Sequence, residues 1–331
     1  QAFALGKYSM HFHLSGDQSA SYFRGNSVHQ GFNRAITIHG THRLLVEHNV
    51  VYNVMGLNFF IEDASETENI LQYNLAISTL PSSSLLNVDQ TPASFWITNA
   101  NNIIRHNHVA GSRSLGFWFN PPDHSTGPSY DESYCPTNQK IGEFNNNTAH
   151  SVAVYGLWVF PKLESSINGY CFDQLTGGMS DYNNWATDNV MSNFNAWGCE
   201  RGVEMVAGNG FQMEGFILAN NEKAQFAAMF TTGPGQNPDR AFGLRDSIIA
   251  GYTDAWGSGS DLHGQTGLQT PMSPDGSTFY VDRVAFHNFG IDQAWYDDMK
   301  ANNLEEELIT LKPSFGLAID PCYDAQTFDC V

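Results

Sequence analysis

Positive charge is scarce in this sequence: 15 Lys and Arg stand against 34 Asp and Glu, for a formal net charge of −19. Such a chain repels phosphate backbones, which excludes nucleic acid as a natural partner. It repels polyanionic glycans too, unless local histidines, arginines or a bound cation reverse the field. Long apolar runs are also missing, which excludes a helical membrane span in this segment. There is no Cys-x-x-Cys spacing, phosphate-binding glycine loop, nucleophile elbow or zinc-protease helix. Nor does a signal-peptide pattern open at Gln1; QAFALGKYSMHFHL enters a strand-like pattern at once. The segment is therefore expected to belong to a larger protein whose targeting sequence lies elsewhere. Cysteine is sparse at five residues. Cys322 and Cys330 are near enough in sequence to pair, and Cys135 with Cys171 is a second expectation that leaves Cys199 unpaired. With one glycosylation sequon at Asn146-Asn147-Thr148, this favours an extracellular, secreted or cell-surface setting.

What the chain does have is apolar and aromatic residues, at 41% and 13%, and 30 glycines. That mix suits many short strands and turns. A short phrase, a polar pair followed by Asn and an apolar stretch, recurs at Asn26, Asn49, Asn74, Asn107, Asn147 and Asn189. The spacings of 23, 25, 33, 40 and 42 residues fit a basic coil of roughly 23 residues carrying insertions, as in a solenoid. Asparagine amides stacked at the strand spacing of about 4.8 Å can hydrogen-bond from coil to coil.

Between these phrases lie strand-like ones: MHFHL, AITIH, NFFIE, SFWIT, GFWFN and GLWVF, each alternating at period two. The fold expected is all-β, a single-stranded right-handed parallel β-helix over 1–295, most regular over 8–120, with insertions near 121–140 and 162–182. A short capping helix and tail are expected over 296–331, covering an otherwise bare sheet edge.

Strand parity sorts the side chains. Met10, Phe12, Leu14, Ile36, Ile38, Phe59, Ile61, Phe95, Ile97, Phe117, Phe119, Leu157 and Val159 point inward. Two outward columns remain. One runs His11, Thr37, Phe60, Trp96, Trp118, Trp158, and its aromatics are candidates for stacking on sugar rings. A covering insertion or partner domain is the competing explanation, since solvent rarely sees so large an apolar patch. The other runs His13, His39, Glu62, Thr98, Asn120, Phe160. His11, His13, His39 and Glu62 are candidate ligands for a divalent metal such as Ca or Zn. His13, His39 and Glu62 are alternatively candidates for acid–base catalysis, or for plain hydrogen bonding on a solvated sheet. Ten of the twelve histidines precede residue 151.

The runs GKYSMHFHLSGD, SYFRGNSVHQGFNRAITIHGTHRLLVEHNVVYN, FFIEDASETENILQYNLA and SSSLLNVDQTPASFWITNANNIIRHNHVAGS resemble the β-helix of the fibrocystin-L family. GFWF at 116–119, HSTGPSYD at 124–131, GEFNNNTAHS at 142–151 and GLWVF at 156–160 extend the likeness, dense over residues 5–165 and fading afterwards. The same β-helix type is similar to that of two hyaluronan-degrading relatives, one secreted and one transmembrane. The elements shared with those relatives stand here as His11, His13, Asp17, His39, Glu62 and Asp63. The wording around Asn69 and Leu85 is closer to fibrocystin-L, which implies a surface receptor or coat protein.

Two readings follow. The first is an extracellular structural or recognition module that binds glycan, matrix protein or other copies of itself beside flanking domains. The second is a polysaccharide-cleaving, hyaluronidase-like enzyme using the His/Glu site.

Overall fold

The structure, a computed structural model, describes residues 6–83, 87–165, 171, 189–231, 242–251, 266–271, 279–287 and 289. The chain winds as a parallel β-helix in which every strand pair is parallel. One sheet stacks Met10–Asp17, Ile36–His42, Phe59–Ile61, Ala93–Ile97, Leu115–Phe119, Tyr155–Val159, Arg201–Asn209, Ala224–Thr231 and Thr266–Gln269 in that order. A second, 16-stranded sheet forms the other two sides of the coil, its two strips joined through Gly243–Ala250. Strands are short because each must turn a corner before the next side begins. Among the described residues no helix is long and apolar enough to cross a membrane.

The inward parity packs as expected. Ile36, Ile38, Phe59, Ile61, Phe95, Ile97, Phe117, Phe119, Leu157 and Val159 are buried in one continuous core. Phe59, Phe95 and Phe117 stack ring on ring, with centroids 4.4 and 4.7 Å apart. Leu14 is an exception: it is 48% exposed. The register with the next coil shifts between His13 and Gly16, and Leu14 takes a left-handed φ of 50°. This irregularity reverses the parity on which the inward assignment depended.

Corners use left-handed residues, several in a coil, as Arg43, His48 and Asn53 show. His48, Tyr73, His106, Asn146 and Asn193 all have φ between 52° and 54°. A side chain in that region costs on the order of 1 kcal/mol or more, and the next residue offsets it. Asn74 shows how: its Oδ1 accepts from the backbone and side-chain amides of Asn49 at 3.0 Å each. Its Nδ2 donates to Val46 O and Asn107 Oδ1. The file runs Asn26, Asn49, Asn74, Asn107, Asn147. Asn189 stands apart from it. Its Oδ1 accepts from Ile141 N at the preceding corner, where Asn69 and Asn102 form a second file. Phe194 occupies the place after Asn147. The recurring phrase looked alike at both corners, so spacing alone could not separate them.

Asn74→Ala is expected to lower unfolding free energy by about 2–4 kcal/mol, because it strands the buried Asn49 N–H as well as losing its own bonds. Urea denaturation checks this; a loss below about 1 kcal/mol would remove the ladder from the stability argument.

The 121–139 excursion is ordered by short 3-10 turns at Gly127–Ser129 and Pro136–Asn138. A disulfide between Cys135 and Cys171 staples it, and Cys199 is free and buried. Cys322, Cys330, most of the 162–182 insertion and the capping segment at 296–331 lie outside the described residues.

Candidate functional site

The register brings the first outward column into file: His11 faces Thr37, then Phe60, Trp96, Trp118 and Trp158 follow. Outward here does not mean solvent-facing. Phe60, Trp96 and Trp118 are 6%, 5% and 6% exposed, in a second apolar cluster with Leu57, Ala93 and Leu115. Val154, Tyr155 and Trp158 pack against it. Trp118 donates through Nε1 to Phe160 O, and the Arg34 guanidinium lies 4.0 Å over the Phe60 ring. The sugar-stacking platform expected from these aromatics is therefore corrected to a covered wall. Exposing so much apolar surface would be costly, and the rings are buried against one another and their apolar neighbours.

The second column converges with His11 on one point. The His13 and His39 Nδ1 atoms stand 3.0 Å apart. Glu62 Oε2 lies 3.6 Å from His39 Nδ1 and 3.8 Å from His11 Nε2. Ligating atoms of His11, His13 and His39 all fall within 4.8 Å of one another.

The outer nitrogens explain why the inner ones carry lone pairs. His11 Nδ1 bonds the Gly6 carbonyl at 3.2 Å, and His39 Nε2 bonds Asp63 Oδ2 at 2.9 Å. Each partner only accepts, so each outer nitrogen donates, and in the neutral ring the other nitrogen then carries the lone pair. His11 Nε2 and Glu62 Oε2 are buried and have no hydrogen-bond partner among the described residues. Burial pushes the His11 imidazolium below its ordinary range and the Glu62 carboxyl above its own.

Three neighbours escaped the sequence reading. Arg34 is 1% exposed; it bonds Asp89 and Tyr8 and approaches Glu62 Oε1 at 3.8 Å. Tyr8 packs on the His11 ring at 4.9 Å. Glu66 Oε1 accepts from the Gly40 and Asp63 backbone amides. Nothing in the spacing of Tyr8, Arg34 or Glu66 announced these positions. Asp17, by contrast, is exposed and tied to Arg43, outside the cluster.

Glu66 carries its own prediction. Burial raises its pKa from 4.5 to about 7. The folded state thus holds this proton more tightly than the unfolded one. Stability is greatest below the unfolded value and falls as pH rises through the folded one, by on the order of 3 kcal/mol in all. Glu66→Gln is expected to flatten melting temperature against pH over that window. An unchanged slope would remove Glu66 as its source.

A second group, His124 with Cys135 and Cys171, also has metal-like spacing. Its two sulfurs are consumed in the disulfide.

Comparison with known proteins accords with this architecture. Residues 1–157 match the family model described as the CEMIP beta-helix. Fibrocystin-L of Homo sapiens is 42% identical over 295 residues, 87% of this chain but 7% of that protein. The likeness thus runs well past residue 165, where the motifs alone had faded. Cell surface hyaluronidase CEMIP2 of Homo sapiens is 32% identical over 189 residues, 47% of this chain and 14% of its own. The mouse cell migration-inducing and hyaluronan-binding protein is 34% identical over 181 residues, 44% and 13% respectively. The chain therefore spans a small fraction of each of these relatives. It is a fibrocystin-L-like parallel β-helix, and its residues 1–157 belong to the CEMIP beta-helix family.

Proposed function

We propose that this β-helix is an extracellular module that engages polysaccharide at a divalent metal held by His11, His13, His39 and Glu62. The observation that carries the reading is the pair of buried, unpartnered atoms, His11 Nε2 and Glu62 Oε2, turned toward the His13–His39 pair. Donor atoms around one zinc-class ion, each at about 2.0–2.2 Å, stand roughly 3–4 Å from one another. The separations of 3.0, 3.6 and 3.8 Å agree. Three imidazoles favour zinc or a similar ion over calcium, which takes six or more oxygens.

When bound, such an ion supplies concentrated positive charge to which sugar hydroxyls and uronate carboxylates can bind. The protein's part is to orient the imidazoles and to keep Arg34 beside Glu62. Together they offset, locally, the repulsion of an anionic glycan by a chain of charge −19.

Cobalt and zinc titration of the purified chain, followed by retention on immobilised hyaluronan, chondroitin and neutral glucans, tests this. Metal-dependent retention abolished by chelator is expected. No metal uptake, or retention indifferent to chelator, overturns it. A second reading, cleavage of the bound polymer, is favoured because relatives matching nearly half of the chain bear hyaluronidase names. Chain-length analysis of hyaluronan after incubation with the zinc-loaded protein separates the two.

The extracellular setting has its own support in Asn146. Of three consecutive asparagines, Asn147 is buried in the ladder and Asn145 Oδ1 accepts from Ser192 and Asn193. Asn146 is exposed and heads the sequon. Its amide contacts His106 Nδ1 at 2.7 Å, a bond that a glycosylated amide can keep with its remaining hydrogen.

A further inference from the structure

We propose that Ser129, on the 121–139 excursion, is a positioning residue for the histidine centre: it holds the Asp63 carboxylate, which in turn holds His39 with Nδ1 turned toward His13 Nδ1, in place to ligate. This rests on the metal-binding reading above, and it assigns that site a component 66 residues further along the chain than Asp63.

Asp63 is 3% exposed, and its Oδ2 receives two bonds, from His39 Nε2 at 2.9 Å and from Ser129 Oγ at 2.8 Å. A carboxylate behind a ligating imidazole fixes ring orientation and tautomer, provided it is itself held. The excursion supplies that hold in three ways. Ser129 donates to the carboxylate directly. Thr126 N donates to the Asp63 carbonyl at 2.8 Å. Gly127 lies so close that a Cβ there would stand 2.6 Å from Asp63 Oδ1, and its φ of +57° also disfavours any side chain.

Ser129 is itself braced. Ser125 Oγ donates to the Ser129 carbonyl at 2.6 Å and accepts from Asp131 N at 2.9 Å. The Cys135–Cys171 disulfide closes the excursion a few residues on. The excursion therefore does more than cover the solenoid: it completes the site from behind.

The full chain tests this with two readouts. In the metal-free protein, the imidazole ¹⁵N spectrum is expected to show His39 protonated at Nε2 in the wild type. Ser129→Ala is expected to mix the tautomers and to weaken cobalt binding by about tenfold or more, the usual cost of a lost outer partner. The cobalt absorption bands should shift in the same variant. Ser129→Thr keeps the hydroxyl and is expected to restore affinity and spectrum; Ser129→Cys, similar in size but a weak donor, is expected to resemble Ala. Ser133 Oγ donates to Asp131 on the exposed side of the same excursion, away from Asp63, so Ser133→Ala is expected to bind cobalt as the wild type does.

Cobalt affinity, bands and His39 tautomer all unchanged in Ser129→Ala would overturn the proposal. If that variant does not fold, Cys against Thr decides the matter by the same readouts. If the wild type takes up no metal, the metal reading fails, while the tautomer still judges whether Ser129 positions His39.

Discussion

Replacing His39 with Ala is expected to weaken zinc and cobalt binding by more than about 100-fold, since losing an outer-shell partner alone costs about 10–100-fold. His39 is the hub of the cluster. Its Nδ1 lies 3.0 Å from His13 and 3.6 Å from Glu62, while its Nε2 is the group that Asp63 holds. No other ligand touches all three. His13, which is exposed, is expected to matter less. Competition against a chromophoric chelator measures both, with circular dichroism confirming that each variant is folded. Wild-type affinity in His39→Ala would end the assignment of the centre.

Arg34→Ala is expected to cost about 3–5 kcal/mol of stability, the usual penalty for removing one member of a buried ion pair. The guanidinium is 1% exposed and Asp89 likewise. Arg34 also donates to Tyr8 and covers the Phe60 face, so the change removes a charge, a hydrogen bond and packing together. Arg34→Met fills much of the volume and isolates the charge; it is expected to remain well below wild type in urea denaturation. If Arg34→Met matches the wild type, the arginine serves packing alone. Because Arg34 also stands beside Glu62, weaker metal binding should accompany the loss.

The sequence disclosed the coils because their register is written in side chains. Phe95 above Phe59, and Trp118 above Trp96, are pairs that period-two alternation aligns without coordinates. It failed wherever one coil departs from the pattern. The irregularity after His13 turned Leu14 outward, and the two corners shared by Asn147 and Asn189 carry the same phrase for different files. Alternation also distinguishes only inside from outside the coil. It cannot tell an outer face in water from a covered one, which is why a sugar platform and a covered wall both stood open for Trp96 and Trp118 until burial decided between them. The histidines were visible as candidates because they occupy matching strand positions. Asp63 was visible through the family resemblance and as a neighbour of Glu62, but its meeting with Ser129 depends on how a long excursion folds back, which no local period encodes.

After Asn147 the polar corner file gives way to Phe194 and Phe216, both fully buried. This divides the rod into two grades of material. In the first, directional amide bonds tie each rung to the next; in the second, two apolar rings fill the same corner before Ser247 restores a polar one, its Oγ accepting from Phe216 N. The histidine centre lies wholly in the first grade, on the rungs tied by the Asn26–Asn49–Asn74 amides. A rung seated on the amide file can therefore rotate only by breaking hydrogen bonds, whereas the two rungs bearing Phe194 and Phe216 meet at that corner through ring packing.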